Sequence, residues 1–375
     1  MSASALSLDF APAIHSGVVG SRPVGRSSGD PTGVGATPKL EDVTRPVRRI
    51  SLVVPMLNEA EHITHLVEDM ACQDFAGELE LLVADGGSTD NSVELLCGAA
   101  DRCGLRLTVL ENPAQWVSHG LNACIRQASG DLIVVLGSHS RYPCNYLSRC
   151  ALASEETGAL VVGGIPVPEG RTPMERSVAI AMDSPFGGIG WMRGTTDAVR
   201  RESDVVTFGA FRPETFRLVG LFDESLRRNQ DDDFTLRVRR AGGRVVLDST
   251  IRVFYTPRGS LRGAFRQYWE YGLWKVPVIR KHRQISSARS LAPLAFVTTL
   301  ALLAAVAPKW RVARPLLAAE CGAYLVCTLS FAADGVRRRQ APWSLFPRVV
   351  AAYPAFHLGY GLGMVRGWLG ALTRM

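Results

Sequence analysis

Two short apolar segments, each followed at once by polar and acidic residues, constrain the fold of this chain more than any other feature. The first reads RISLVVPMLNE and the second LELLVADGGSTDNS. Asn58 and Glu59 follow the first apolar run, and Asp85 and Asp90 follow the second. Ligands of parallel α/β sheets bind outside the carboxyl ends of the strands. We therefore expect these four side chains to lie together at one edge of a sheet.

Strand and helix patterns alternate regularly through the middle of the chain. ISLVVP, ELLVAD, RLTVL and DLIVVL indicate buried strands, and helical periodicity begins near Glu59, Asp90 and Trp116. Parallel strands joined by right-handed crossovers follow by default. The pattern therefore predicts an α/β fold. The glycine- and proline-rich residues 163–194 predict loops, and residues 205–209 predict a further strand.

Composition divides the chain into four segments. Residues 1–47 are rich in Ser, Gly, Pro and Ala and lack the continuous apolar core of a signal peptide, so we expect disorder. Residues 48–260 form the expected α/β domain. Residues 261–290 interleave basic and aromatic side chains, as an interfacial helix does. Residues 291–375 are strongly apolar.

The cysteines indicate a reducing compartment. None of the eight forms a C-x-x-C pair, and no histidine spacing accompanies them, so zinc and a disulfide framework are not expected. Several lie in apolar periodic stretches, where cysteine behaves as a small hydrophobe. They are Cys72, Cys97, Cys103, Cys124, Cys144, Cys150, Cys321 and Cys327.

The net charge of +7 is concentrated beside the apolar segments. Arginine and lysine gather at residues 258–289 and again at residues 337–339. A basic belt of this kind suits the anionic inner leaflet of a membrane. Since the chain carries no zinc-finger or other nucleic-acid motif, we expect lipid and not nucleic acid as a partner.

The C-terminal region contains candidates for membrane-spanning helices. Residues 291–307 carry no charge, and residues 315–333 carry only Glu320. Both approach the length needed to span a bilayer. Residues 349–372 are a third candidate, although His357 and several glycines interrupt them. We predict two or three membrane helices, with buried helices of a soluble domain as the alternative.

Several sequence blocks together resemble glycosyltransferase family 2, which has the GT-A fold. They are VVPMLNE, VADGGSTDNS, GLNACIRQASGDLIVVLGSHSRYP, GAFRPETFRLVGLFDESL and NQDDDFTLRVRRAGGRV, and they cover residues 49–283. Within the family, SHSRYP, FDESLRRNQDDD and RQYWEYGLWKVPVIRKH are similar to the membrane-bound branch of succinoglycan-type glucosyltransferases. The resemblance implies a GT-A domain, a Rossmann-like nucleotide-diphospho-sugar transferase, followed by membrane helices.

The resemblance also implies which residues bind the donor. Asp85 would bind the uridine part of a UDP-sugar, and Gly86 would let the ligand approach the backbone. The other positions that match donor-binding motifs are Pro55, Asn58, Glu59, Asp90, Asn122, Asp131 and Ser138. Helix capping or packing is the alternative role for the polar members of this set.

A departure from the family pattern occurs at Gly137, Ser138 and His139. The family usually carries here an Asp-containing motif for Mg²⁺ or Mn²⁺, which stabilises the departing diphosphate. The leading carboxylate is absent. Three explanations remain open: His139 binds the metal with another carboxylate, cations such as Arg141 stabilise the diphosphate, or catalysis is lost.

The acidic run after Gln230 resembles the place where the family carries its general base. Its register on LRVRRAG puts the base at Asp231, with Asp232 as the alternative. An inverting transfer needs such a carboxylate to deprotonate the acceptor hydroxyl. Gln230 replaces the usual first acid, and stabilisation of a helix dipole is the plainer role for these side chains.

Gln267 and Trp269 lie in the basic and aromatic segment and are predicted to face the acceptor at the membrane interface. Processive synthases of the family carry Q-x-x-R-W at this place, whereas Gln267 is followed here by Tyr268, Trp269, Glu270 and Tyr271. The departure favours the addition of one sugar per encounter. Core packing is the alternative for this aromatic stripe.

The combined interpretation is an inverting glycosyltransferase that moves a hexose from a UDP-sugar to a polyprenyl-linked saccharide in exopolysaccharide or cell-envelope synthesis. We expect a multi-pass protein of the cell membrane with its catalytic domain on the cytoplasmic side. Trp191 and Arg193 are further candidates for contact with the acceptor. The alternatives are a polyprenyl-phosphate monosaccharide synthase and an inactive nucleotide-sugar-binding scaffold.

Overall fold

A computed structural model describes residues 44–188, 190, 200–285 and 287–373. Most of the predicted N-terminal segment 1–47 lies outside these residues, as do Trp191 and Arg193. The elements are β1 Arg49–Met56, α1 Ile63–Ala71, β2 Glu78–Asp85, α2 Ser92–Cys103, β3 Arg106–Glu111, α3 Val117–Gln127, β4 Leu132–Val135, β5 Ser140–Arg141, α4 Tyr146–Thr157, β6 Val161–Pro168, α5 Pro173–Met182, β7 Arg200–Glu202, β8 Ala210–Phe211, α6 Pro213–Val219, α7 Gln230–Arg240, β9 Val245–Tyr255, α8 Leu261–His282, α9 Ala292–Val306, α10 Ala313–Arg338 and α11 Phe346–Leu372.

The strands form a mixed sheet with the order β3-β2-β1-β4-β8-β6-β9-β5, and β7 pairs with β9. β1, β2, β3 and β4 are parallel, as the alternating pattern predicts. β8 then runs antiparallel between β4 and β6. Since the first four strands point the same way, their carboxyl ends share one edge of the sheet.

Apolar side chains of the parallel strands alternate between two cores. Leu52 and Val54 pack on one face of the sheet with the buried sides of α1, α2 and α4. Val53 points to the other face and packs with α3 and with Phe234 of α7. Burial on both faces explains why these strands read as continuous apolar runs.

The glycine-rich region forms more regular structure than predicted. Instead of loops, it contains β6 and α5, and α5 begins with a complete capping box between Thr172 and Glu175. The strand predicted at residues 205–209 is also wrong, because β7 ends before it and β8 begins after it. Phe208 within this segment has φ of 52°, a left-handed conformation that a strand cannot accommodate.

Helix α11 packs along α8 through glycines spaced four residues apart. A side chain at Gly363 would overlap the Trp269 carbonyl oxygen of α8, and one at Gly359 would lie 2.7 Å from the Phe265 carbonyl oxygen. The absence of side chains therefore lets the two helix backbones approach closely. The glycines that interrupt the apolar pattern of residues 349–372 form this contact.

By length and composition, two helical stretches in the described residues could cross a membrane. They are Ala288–Val306, which includes a short 3₁₀ turn before α9, and Ala313–Arg338. Only 6% and 11% of their apolar windows are buried within the protein. Leu302, Val326 and Trp310 are more than 60% exposed. The third predicted segment lies in α11, which is the partner of α8.

Candidate active site

The loops that follow β1 and β2 are joined by hydrogen bonds at the carboxyl edge of the sheet. Asn58 accepts a hydrogen bond from the Thr89 N–H at 2.8 Å, and its own N–H donates to Ser88 Oγ at 2.9 Å. The Glu59 N–H donates to Ser92 Oγ at 2.6 Å, and the Ala60 N–H donates to Asp90 at 3.2 Å. The predicted proximity of these loops is confirmed.

Asp85 is half-buried at the end of β2 and organises the loop after it. Its carboxylate accepts hydrogen bonds from the Ser88 hydroxyl at 2.6 Å and from the Gly87 N–H at 3.1 Å. Gly87 has φ of 80°, and a Cβ placed there would meet no described atom within 4 Å. Gly86 is buried against Leu57. The loop therefore presents an accessible backbone at Gly87 beside the fixed carboxylate of Asp85. Pro55 is half-buried within β1.

Glu59 lies against two histidines. Its Oε1 atom is 3.0 Å from Nε2 of His139, and the His139 and His62 rings meet edge to face with centroids 4.8 Å apart. One ligand atom from each of the three residues lies within 4.8 Å of the others. Burial, and then the neighbouring His139 ring, lower the pKa of His62. The neutral imidazole that results is the form that binds metals.

This cluster fits a divalent cation. The Glu59 side chain is only 11% exposed, and its Oε2 atom is buried without a hydrogen-bond partner among the described residues. A buried carboxylate oxygen without a partner is costly, and a cation would satisfy it. His62 is the residue that sequence reasoning missed, although the Glu-x-x-His spacing of Glu59 and His62 was visible. This spacing places two side chains on one face of a helical turn.

The missing carboxylate at Gly137 has a steric cause. A Cβ at Gly137 would lie 2.8 Å from the Phe208 ring, and the Gly137 N–H donates to the Tyr142 hydroxyl at 2.8 Å. An aspartate at this position would therefore displace Phe208. Ser138, a predicted donor-binding residue, is 5% exposed.

Arg141 forms an ion pair with a carboxylate of the protein. Its guanidinium forms two hydrogen bonds of 2.8 Å with the carboxylate of Asp69 on α1. The Tyr142 N–H donates to the same carboxylate at 2.9 Å. Asp69 therefore balances part of the charge of Arg141, and this pair anchors the loop that carries His139.

Asn122 does not face a donor cleft. It is 1% exposed, and its side-chain amide donates to the Phe222 carbonyl while its oxygen accepts from the Phe222 N–H. A further hydrogen bond joins it to Glu224. These hydrogen bonds hold the segment before α7 against α3, which is the packing role that the sequence left open for Asn122 as the alternative to donor binding.

Asp131 lies at the opposite edge of the sheet from the donor loops. It precedes β4, and its carboxylate accepts hydrogen bonds of 3.0 and 3.1 Å from the N–H groups of Arg48 and Arg49 at the start of β1. The amino ends and carboxyl ends of a parallel pair lie at opposite edges. The expectation that Asp131 neighbours the donor is therefore wrong.

A chain of contacts links the loop beside Asp85 to the segment before α7. The Asn112 N–H, just after β3, donates to the Asp85 carbonyl at 2.7 Å, and its side chain donates to the Trp116 carbonyl at 3.1 Å. The Arg227 guanidinium lies 4.2 Å from the centre of the Trp116 ring. Arg227 precedes α7, so these contacts connect the segment before this helix to the loop that is bonded to Asp85.

Asp231 and Asp232 have different environments. Asp232 is buried, and Lys275 of α8 forms an ion pair of 2.6 Å with it. Asp231 is half-buried, and its Oδ1 atom accepts the Asp232 N–H at 2.9 Å. Burial, followed by the charge of Asp232, raises the pKa of Asp231 to about 6. A carboxylate with such a pKa is suited to accept a proton near neutral pH.

Asp233, the third acid, is committed to structure. It is fully buried, with His282 and Lys281 of α8 each 2.7 Å from its carboxylate and Arg237 at 3.0 Å. Burial alone would raise the pKa of Asp233, but the hydrogen bonds from Lys281 and His282 and the charges of Arg237 and Lys281 outweigh it, and the pKa lies below its usual range. The second and third aspartates of the acidic run therefore bind side chains of α8, in addition to any stabilisation of the dipole of α7.

Gln267 and Trp269 lie on α8, where both are half-buried. The Gln267 amide donates to the Tyr271 hydroxyl at 3.0 Å, and the Trp269 backbone lies against Gly363 of α11. This is partly the core packing that the sequence left open as an alternative.

A parallel sheet with acidic loops at its carboxyl edge, followed along the chain by an acidic helix start, defines the GT-A class of glycosyltransferase folds. The mannosyltransferase PcManGT of Pyrobaculum calidifontis, solved in complex with GDP-Man and Mn²⁺, has this fold; its TM-score with the chain is 0.57 at 21% identity, covering 84% of this chain and 89% of that one. Residues 51–212 match the sequence model of glycosyl transferase family 2, and the chain therefore carries a family 2 glycosyltransferase domain.

Two relatives extend the comparison. The succinoglycan biosynthesis protein ExoA of Rhizobium meliloti strain 1021 is 28% identical over 319 residues, which is 84% of this chain and 93% of that protein. The undecaprenyl-phosphate 4-deoxy-4-formamido-L-arabinose transferase of Serratia proteamaculans strain 568 is 32% identical over 123 residues, 32% of this chain and 37% of that protein. The similarity to the first relative extends beyond the family 2 domain.

Proposed function

We propose that this chain is an inverting hexosyltransferase that moves a sugar from a UDP-sugar to a polyprenyl-linked saccharide at the cytoplasmic face of the cell membrane. The observation that carries the proposal is Asp231. Asp231 opens the helix that would provide the general base, it is half-buried, and its pKa is raised to about 6.

Asp231 would act as the general base. Its carboxylate takes the proton of the acceptor hydroxyl as the hydroxyl oxygen attacks the anomeric carbon, and the bond to the diphosphate breaks on the opposite face. Proton transfer of this kind contributes about 10² to 10⁴ in rate. Lys275 holds Asp232, so that Asp232 adds negative potential without competing for the proton.

The donor would lie along the loops after β1 and β2. Asp85 would contact the uridine, and Asn58 and Asp90 would fix the loop that surrounds it. A divalent cation on the diphosphate would be held by His139, Glu59 and His62, where it would stabilise the negative charge of the leaving group. Ser138, which is buried, directly precedes His139 and would help to position it.

Three observations support a lipid-linked acceptor in a membrane. Two apolar helical stretches are little buried within the protein, and α8, which carries Gln267 and Trp269, joins them to Asp232 and Asp233. ExoA is a succinoglycan biosynthesis protein and the Serratia relative is an undecaprenyl-phosphate transferase. Exopolysaccharide or cell-envelope glycan synthesis is therefore the proposed pathway class.

The test is transfer of label from a panel of UDP-sugars into the lipid fraction of membranes that contain the chain. We expect Asp231→Asn to abolish product while UDP binding, measured by calorimetry, remains. Asp101→Asn, an exposed position on α2, is the matched control and should leave the rate unchanged. Full turnover by Asp231→Asn would refute the role of this residue.

A polyprenyl-phosphate monosaccharide synthase is the second candidate, favoured by the name of the Serratia relative. It would use polyprenyl phosphate alone, whereas the first candidate requires a polyprenyl-linked saccharide, so the two acceptors offered separately distinguish them. UDP binding without product from any donor or acceptor would indicate the scaffold function that Gln230 and Gly137 suggested.

A further inference from the structure

We propose that Glu59, His62 and His139 form a binding site for a first-row transition-metal dication and that this site discriminates against Mg²⁺. The use of that ion in sugar transfer rests on the proposed function, whereas its binding does not. The inference concerns the ligand set of this chain, in which two imidazoles replace the carboxylate missing at Gly137.

The three ligands come from two loops that meet at the carboxyl edge of the sheet. Glu59 and His62 belong to the helical turn that opens α1, where the His62 N–H donates to the Glu59 carbonyl at 2.9 Å. His139 lies in the loop between β4 and β5 and approaches Glu59 to 3.0 Å. The His139 side chain is 63% exposed, so an ion and a ligand bound to that ion can reach the cluster from solvent.

A separate ion pair holds the two loops in register. Asp69, farther along α1, binds both the guanidinium of Arg141 and the N–H of Tyr142, two and three residues after His139. On the other side, Ser92 Oγ accepts the Glu59 N–H at 2.6 Å. The ligands are therefore positioned by neighbouring contacts before any ion binds, as metal sites require.

The donor chemistry selects the ion. Mg²⁺ prefers oxygen ligands and retains several waters, whereas imidazole nitrogen suits the later first-row metals. Two imidazoles and one carboxylate leave open positions that water or phosphate oxygens can fill. Affinity at such a site should rise from Mn²⁺ to Co²⁺ and Zn²⁺, with Mg²⁺ the weakest of the four.

The experiment is titration of the purified full chain in detergent, without nucleotide, with MnCl₂ followed by electron paramagnetic resonance of the free ion. CoCl₂, followed by visible absorption, reports nitrogen coordination independently. We expect saturable binding of both ions. Half-saturation of the site by Mg²⁺, measured by displacement of Mn²⁺, should require a concentration at least about tenfold higher than half-saturation by Mn²⁺.

Three variants separate the site from general metal binding. His62→Asn and His139→Asn should each weaken Mn²⁺ binding by about tenfold or more, since even the loss of an outer contact has this effect. His65→Asn removes an exposed histidine one turn farther along α1 and should leave binding unchanged. Because His139 is exposed, its replacement does not threaten folding, and circular dichroism of each variant verifies this.

Three results would overturn the inference: no saturable binding of Mn²⁺ or Co²⁺, equal binding by the wild type and the His139→Asn variant, or Mg²⁺ binding as tight as Mn²⁺ binding. Sugar transfer that persists in the presence of such a result would leave the proposed function intact. Metal binding without sugar transfer would support the metal site and contradict the proposed function.

Discussion

Asp231 differs from its two acidic neighbours in its electrostatic environment. Each neighbour has a lysine within 2.7 Å, whereas Asp231 forms no ion pair with a described residue. Asp232 and Asp233 are buried and form ion pairs with Lys275 and Lys281 of α8 at 2.6 and 2.7 Å. Those pairs stabilise the charged forms of the neighbours and leave Asp231 with a negative charge beside it. Burial raises the pKa of Asp231, and the neighbouring charge of Asp232 raises it further.

This arrangement predicts a pH dependence. Asp231 must be deprotonated to act as a base, and its pKa is raised from 3.8 to about 6. The transfer rate at saturating donor should therefore rise about tenfold per pH unit below pH 6 and level off above it. Initial rates between pH 4.5 and about 8 measure this profile, with UDP binding followed over the same range to correct for donor affinity. A rate independent of pH from about 5 to 7 would contradict the assignment.

A second prediction concerns the contact between Gly137 and Phe208. A methyl group at residue 137 would lie 2.8 Å from the Phe208 ring, so Gly137→Ala should lower the free energy of unfolding by about 1–3 kcal/mol. Thermal unfolding of the purified chain measures the loss. In the double variant Gly137→Ala/Phe208→Leu, the smaller side chain should recover part of it. Equal stability of the single variant and the wild type would refute the contact.

The sequence predicted the residues that follow strands better than the residues that need a tertiary partner. Asn58, Glu59, Asp85 and Asp90 were placed at one edge because each follows a parallel strand. Asp131 failed because it precedes its strand, and the pattern alone did not weigh which end of β4 it occupies. The contact between Glu59, His62 and His139 joins two distant loops, and no local pattern predicts such a contact.

Among the elements, α8 contacts both the acidic start of α7 and the C-terminal helix α11. Its face toward α7 carries Lys275 and His282, which pair with Asp232 and Asp233. Its opposite contact is the close backbone packing against Gly359 and Gly363 of α11. A displacement of α8 would therefore change the charges around Asp231.

The packing of α8 on α11 gives a prediction with opposite signs for two glycines. Alanine at Gly363 would overlap the Trp269 carbonyl oxygen, so Gly363→Ala should lower the melting temperature and the transfer rate. Gly322 of α10 has no described atom within 4 Å of a built Cβ, so Gly322→Ala should leave the melting temperature unchanged or raise it, since alanine favours the helix by about 0.5–1 kcal/mol. Similar effects of both substitutions would refute close packing at Gly363.

The parallel strands and their helices were predictable because apolar periodicity marks them. In the glycine-rich region, the Thr172 and Glu175 capping signature was visible and would have predicted α5. By contrast, Gly163 and Gly164 lie inside β6, where their lack of side chains admits Val206 and Ile251. These glycines were predicted to lie in loops because the residues that pack against them, Val206 and Ile251, are distant along the chain.

At the scale of the whole molecule, the chain joins an α/β domain to helices whose apolar surfaces are little buried within the described residues. The sheet buries both of its faces, whereas α9 and α10 leave Leu302, Leu325 and Val326 more than half exposed. Exposed apolar surface of this extent indicates an apolar environment around the helices. The basic residues 337–339 lie at the C-terminal end of α10, as expected near an anionic bilayer surface.

Acidic substitutions at these positions distinguish a bilayer from water as that environment. In water, an exposed leucine replaced by aspartate changes stability by only about 0.5 kcal/mol or less, whereas an aspartate at the centre of a membrane helix costs about 2.5–3.5 kcal/mol. Leu302→Asp and Val326→Asp should therefore each reduce the amount of chain that resists carbonate extraction from membranes. Leu95→Asp, at an exposed leucine on α2 of the catalytic domain, is the matched control and should have no effect. If all three variants fractionate as the wild type does, α9 and α10 do not cross the bilayer.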